Sequence, residues 1–100
     1  MAKFKTEVSH QLGKDAAKKR LQSFISKVSH QFQAQATQLQ SDWEDNLLKF
    51  CITTFGMKID GTLTVEEASA HVEGSLPLAA MMFKGKIENT IQTELARALS

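Results

Sequence analysis

The chain has 100 residues, 42% of them hydrophobic and 23% charged, with one cysteine, one proline and a formal net charge of +1. Those figures describe a single globular domain over residues 1–100. They exclude a disordered or collagen-like chain, an internal disulfide framework and strong electrostatic capture of nucleic acid.

The longest apolar run, Leu78 to Phe83, is six residues, against the roughly 20 that span a bilayer, so no transmembrane segment is expected. The opening Met1-Ala2-Lys3-Phe4-Lys5 lacks the apolar stretch of a secretory signal. Together with the sole Cys51 this makes the cytoplasm the expected location. Charge is uneven along the chain. Residues 1–37 hold seven bases against two acids, and residues 38–76 hold seven acids against two bases. Such asymmetry reads as a solvated helix face beside a solvated sheet face.

In chain order, Phe4, Thr6 and Val8 alternate with Lys3, Lys5 and Glu7, the period of a half-buried strand. A break at His10-Gln11-Leu12-Gly13 precedes a helix from about Gly13 to Gln35. Its apolar stripe is Ala17, Leu21, Phe24, Ile25, Val28, Phe32 and Ala36, with Lys19, Arg20 and Lys27 pointing away. Leu39 and Trp43 lie in a short segment ending at an Asp45-Asn46 turn. Leu48, Phe50, Ile52 and Thr54 then alternate with Leu47, Cys51 and Phe55, and Gly56 separates this strand from the next.

Met57, Ile59, Gly61, Leu63 and Val65 give the cleanest strand pattern. A polar turn at Glu66–Ser69 leads to Ala70, Val72, Gly74 and Leu76 on one further strand. Pro77 suits the first position of a second helix, where its missing N–H costs nothing. There Ile87, Ile91, Leu95, Ala98 and Leu99 form a stripe that Ala80 and Met81 extend backwards. The order β-α-β-β-β-β-α with short strand connections predicts an α+β fold. An antiparallel sheet of about five strands is covered on one face by two helices.

No constellation with catalytic spacing stands out. Nothing local activates Cys51, and Ser9-His10 lacks a nucleophile elbow. His30 and His71 read as surface residues. Asp42, Glu44 and Asp45 lack the glycine and spaced ligands of a calcium loop, so no metal or other cofactor is expected. The five glycines are isolated and form no phosphate-binding loop. Lys18-Lys19-Arg20 has no aromatic on its own face, which argues against nucleic acid as a partner. The expectation is that the protein is not an enzyme.

The run Leu78–Phe83 is different. Those six residues occupy every direction around the first turns of the second helix, and Leu78, Met82 and Phe83 point away from the stripe. An all-round apolar helix is either enclosed or offered to something. Enclosure by the first strand or Trp43 is one reading. Docking on an apolar surface through Leu78, Met81, Met82 and Phe83, with Lys84 and Lys86 at the rim, is another.

The chain also resembles a known family. The motifs His10-x-Leu12-Gly13 and Ala17-x-x-Arg20 open the first helix in the manner of the polyhydroxyalkanoic acid system proteins. Trp43, Gly56-Met57-x-Ile59-x-Gly61, Gly74-x-Leu76-Pro77 and Phe83-Lys84-x-x-Ile87-Glu88 extend the likeness over nearly the whole chain. The resemblance implies a short bacterial protein encoded beside genes for polyester synthesis and granule surface proteins, with no enzymatic activity established for the family. The element order also looks like a shortened helix-grip fold, which holds apolar ligands between a curved sheet and a long C-terminal helix.

The leading expectation is a non-enzymatic, granule-associated protein of the polyhydroxyalkanoate storage system, docking on the granule surface or its proteins. One alternative is a small binding module with an apolar cleft between the second helix and the sheet. It would take a hydroxyacyl or fatty-acyl ligand, with room left by Gly61, Ala70 and Gly74. The other is a homodimer burying the 78–83 patch.

Overall fold

A computed structural model describes residues 2–34, 38–54 and 57–100. Strand β1 (Ala2–Ser9) leads through His10–Gly13 into helix α1 (Lys14–Ala34). Four strands follow: β2 (Gln38–Glu44), β3 (Leu47–Thr54), β4 (Met57–Val65) and β5 (Ser69–Leu76). A short 3-10 helix over Leu78–Phe83 precedes helix α2 (Lys84–Ala98). The five strands form one antiparallel sheet in the order β1-β5-β4-β3-β2. The α+β architecture expected from the sequence is thus the one observed. Phe55 of the β3 pattern, Gly56 at the expected β3–β4 break and Ala36 of the α1 stripe lie outside the described residues, as do the side chains of Phe32 and Thr54.

The register puts the main apolar set of each strand on one face, leaving Leu47 and Cys51 on the other. Phe4, Thr6 and Val8 pair with Gly74, Val72 and Ala70, which in turn neighbour Gly61, Leu63 and Val65. Leu48, Phe50 and Ile52 continue the face across β3, and Trp43, Ser41 and Leu39 end it on β2. A one-residue slip would send this whole set to solvent, so the hydrophobic pattern fixes the pairing. The helices cover this face. Ala17 and Leu21 from α1, with Leu95 and the following Leu99, join Phe4, Leu48, Leu63, Val65, Ala70, Val72 and Leu76 in the core.

The other face is polar and carries ion pairs between Lys5 and Glu73, and between Lys49 and Glu44. Both are exposed and worth about 0–1 kcal/mol at most.

The connection between β1 and α1 is locked by His10, which is buried. Its Nδ1 accepts the Leu12 N–H at 3.2 Å, so the ring is the tautomer whose Nε2–H donates to the Glu66 carbonyl at 3.0 Å. Gly13 follows with φ +81°, a left-handed conformation that favours glycine, and its carbonyl accepts the first helical N–H, from Ala17.

The start of the second helix departs from expectation. Residues 78–83 are 3-10, not α, and the α-helix begins only at Lys84. With three residues per turn, Leu78 and Met81 share a row and Ala80 aligns with Phe83. Ala80 is buried as expected, whereas Met81, in the row of the exposed Leu78, leaves the stripe and is 54% exposed.

Candidate functional site

Two apolar features dominate the molecule. The first is the 3-10 helix, anchored by Pro77 in extended backbone at its entry and by buried Ala80 beneath. Leu78 is 71% exposed, Met82 88%, and Met81 and Phe83 each 54%. Neither β1 nor Trp43 encloses them; Lys18 Nζ instead sits 5.5 Å from the Trp43 ring centroid, a cation–π contact. Lys84 and Lys86, also exposed, stand directly after the patch. The structure thus places Leu78, Met81, Met82 and Phe83 on one exposed 3-10 helix, with Lys84 and Lys86 following in the first turn of α2.

The second feature is a cavity of about 550 Å³ between the two helices and the apolar sheet face. Ile25 and Val28 of α1, Phe50 and Ile52 of β3, Leu39 of β2 and Ile91 of α2 line it, all half-buried. Its place differs from the one expected. On the helix-covered face Gly61 and Gly74 leave no room, because a Cβ on Gly61 would come 2.5 Å from Phe50 Cζ and one on Gly74 2.5 Å from Phe4 Cε1. Ala70 is fully buried. The space lies farther towards α1 and β3. Lys27, read as pointing away from the helix stripe, borders the opening. The apolar residues of this cavity were visible in the sequence as alternation, but their shared exposure depends on the spacing between two helices. A wider depression of about 720 Å³ does include Gly61 and Gly74, with Lys84 and Glu88 of α2, but it is edged by charges of both signs, among them Lys3, Lys49, Asp60 and Glu73.

Sequence reasoning also missed a chain of polar contacts on the open sheet face. His71 Nδ1 lies 3.0 Å from Glu7 Oε2, and His71 Nε2 lies 3.2 Å from Ser69 Oγ. Ser69-x-His71 on one strand was readable, since residues two apart share a face; Glu7 enters only through the β1–β5 register, opposite His71. The order hydroxyl–imidazole–carboxylate is that of an activated nucleophile. Neither cavity is lined by any of the three, and β5 is paired on both sides, its ladder engaging the backbone N–H groups that an oxyanion would need.

Cys51 faces Asp60 across β3–β4, and an S–H hydrogen bond to that carboxylate pushes the thiol pKa above its ordinary value, aided by burial. It is a poor nucleophile there. Among the described residues no group of three His, Cys, Asp or Glu side chains is placed to hold a metal ion. Among them, too, no helix is long and apolar enough to cross a membrane.

The family model of the polyhydroxyalkanoic acid system proteins matches residues 5–99. The chain belongs to that family. Neither a curated protein nor a solved structure matches it.

Most of the motif residues of this polyhydroxyalkanoic acid system protein now have a structural role. His10 and Gly13 shape the entry to α1, and Ala17 is fully buried. Arg20 donates to the Ser100 backbone oxygen and so ties α1 to the end of the chain. Gly61 and Gly74 face each other beneath two phenyl rings, and Leu76 is core. Glu88 Oε2 accepts the Lys5 N–H at 3.0 Å and covers part of the free edge of β1. Phe83 and Lys84 stand apart: both are exposed, and neither packs in the core.

Proposed function

We propose that this protein is a non-enzymatic component of the polyhydroxyalkanoate storage system that docks on the aliphatic surface of the polyester granule through its 3-10 helix. The observation that carries the reading is the exposure of four large apolar side chains on one six-residue element, with Met82 at 88%. Monomeric proteins rarely leave such a cluster uncovered unless it meets a partner. Leu78, Met81, Met82 and Phe83 enter the ester surface, and the lysines at 84 and 86 stay at its wet rim. Methionine suits an amorphous polymer, because its unbranched, polarisable chain adapts to irregular contact.

Burying a Met or Phe side chain fully is worth about 1.5–3 kcal/mol. Cosedimentation with washed polyhydroxybutyrate granules tests the reading: wild type pellets with them, and Met82→Asp plus Phe83→Asp stays in solution. A wild-type protein that stays in solution overturns it. Dimerisation through the patch takes its place if light scattering then shows a dimer that the double variant abolishes.

A further inference from the structure

We infer that the cavity between α1, α2 and the sheet is a binding site for a linear aliphatic carboxylate, its chain lying among Ile25, Val28, Phe50, Ile52 and Ile91 and its anionic head at the mouth beside Lys27 and Arg97. This inference does not rest on granule docking, since none of the cavity residues belongs to the 78–83 patch.

Three observations point to this occupant. Protein interiors are normally packed to the density of organic crystals. Here about 550 Å³ remains open beneath two helices, within the roughly 300–1,000 Å³ of ordinary small-molecule sites. Apolar side chains reach it from α1, from the sheet and from α2, and its polar members, Lys27, Gln31, Thr90, Glu94 and Arg97, all come from the two helices. Aliphatic and phenyl groups that would otherwise complete the core are left half-buried around it. Among the described residues no polar side chain comes from the floor, which Leu48, Leu63, Val72 and Leu95 close. The matching ligand segment is therefore unfunctionalised hydrocarbon.

Charge supplies the third argument. The ionic groups bordering the cavity are Lys27, Arg97 and Glu94, and the acid is paired with Arg97 at 3.6 Å, a contact open to water on both sides. Among the described residues Lys27 has no ion pair on α1. The lining therefore carries one net positive charge, supplied from two helices, above a neutral interior. Gln31 and Thr90 add uncharged hydrogen-bonding groups to the lining. An alkyl chain ending in one carboxylate matches both halves of this arrangement.

Isothermal titration calorimetry of the wild-type protein with octanoate, decanoate and dodecanoate tests the inference. One-to-one binding is expected, tightening by about fourfold for each methylene until the cavity is full. Lys27→Glu is expected to weaken decanoate by about tenfold at low salt and leave decan-1-ol unchanged. Val28→Trp, which fills the space, is expected to abolish both. If Val28→Trp does not fold, amide shift mapping of decanoate on wild type serves instead, with changes expected at residues 24–31, 48–52 and 90–97. The Met82→Asp, Phe83→Asp variant is expected to bind decanoate as wild type does, which keeps the two sites distinguishable. Absence of binding, affinity independent of chain length, or shifts centred on residues 78–83 would overturn the site. Equal affinity for decan-1-ol and decanoate would overturn the placement of the head.

Discussion

Phe4 and Gly74 face each other across the β1–β5 ladder, and the Phe4 ring fills the space that any side chain on Gly74 would need. The same holds on the far side of the β4–β5 pair, where Phe50 sits against Gly61. Four strands thus share one row, phenyl–glycine–glycine–phenyl, in which two large rings cover two residues without side chains. Phe4 is thereby a core residue from an edge strand, 2% exposed. Phe50 forms the boundary of the apolar cavity.

Gly74→Ala should therefore destabilise the fold. The new methyl group meets a buried ring as well as the backbone, and overpacking of this kind costs about 1–3 kcal/mol. Gly85→Ala is the contrasting change: it lies in the first turn of α2 with nothing within 4 Å of a new Cβ. There the gain in helix propensity should stabilise by about 0.5–1 kcal/mol. Urea unfolding midpoints of the two variants should move in opposite directions. A neutral Gly74→Ala would contradict the packing described.

His10→Ala should cost about 1–3 kcal/mol, because it leaves the Leu12 N–H and the Glu66 carbonyl without their partner in a largely buried position. Nitrogen chemical shifts should show His10 protonated on Nε2 and unprotonated on Nδ1. The opposite tautomer would show that this lock is not formed.

Cys51 should alkylate slowly. Its raised pKa follows first from the hydrogen bond to Asp60, then from burial and the carboxylate's charge. A thiol whose folded pKa lies above its unfolded one contributes stability that is complete below the unfolded value. That contribution is lost as pH rises through the folded value. Iodoacetamide should react more slowly than with an unstructured thiol at pH 8, and Asp60→Asn should speed it. An unchanged rate in Asp60→Asn would remove the carboxylate as the cause.

Ser69, His71 and Glu7 should be catalytically silent despite their alignment. Hydrolysis of 4-nitrophenyl butyrate should be no faster with wild type than with Ser69→Ala. Turnover that Ser69→Ala abolishes would contradict the non-enzymatic reading.

The sheet was legible in the sequence because β1, β4 and β5 alternate cleanly and the strand connections are short; the Ala70–Leu76 and Met57–Val65 sets fell on the expected face. Helix α1 was legible from Ala17 to Val28 for the same reason, with period 3.6 in place of 2. The onset of the second helix was not, since Leu78–Phe83 carries no residue that separates 3-10 from α geometry. That one change of pitch moved Met81 from the core stripe to the exposed patch. The cavity was hidden for a different reason: Gly61 and Gly74 mark a close approach of rings instead of an empty space, and which it is depends on the cross-strand neighbours Phe4 and Phe50. Of the site, the six residues from Leu78 to Lys86 were visible as an apolar run followed by lysines. Lys27 and Arg97 were not, because their common position depends on how two helices lie over one sheet.

The most direct test of the central claim is quantitative cosedimentation with polyhydroxybutyrate granules. It compares wild type, Met82→Asp plus Phe83→Asp, and a control pair at exposed polar positions, Gln40→Asp plus Gln92→Asp, all matched in helicity by circular dichroism. Wild type and control should bind alike, and the patch variant should bind at least tenfold more weakly, the loss of about 1.5–3 kcal/mol per buried side chain. Equal binding by all three would contradict docking through the 3-10 helix.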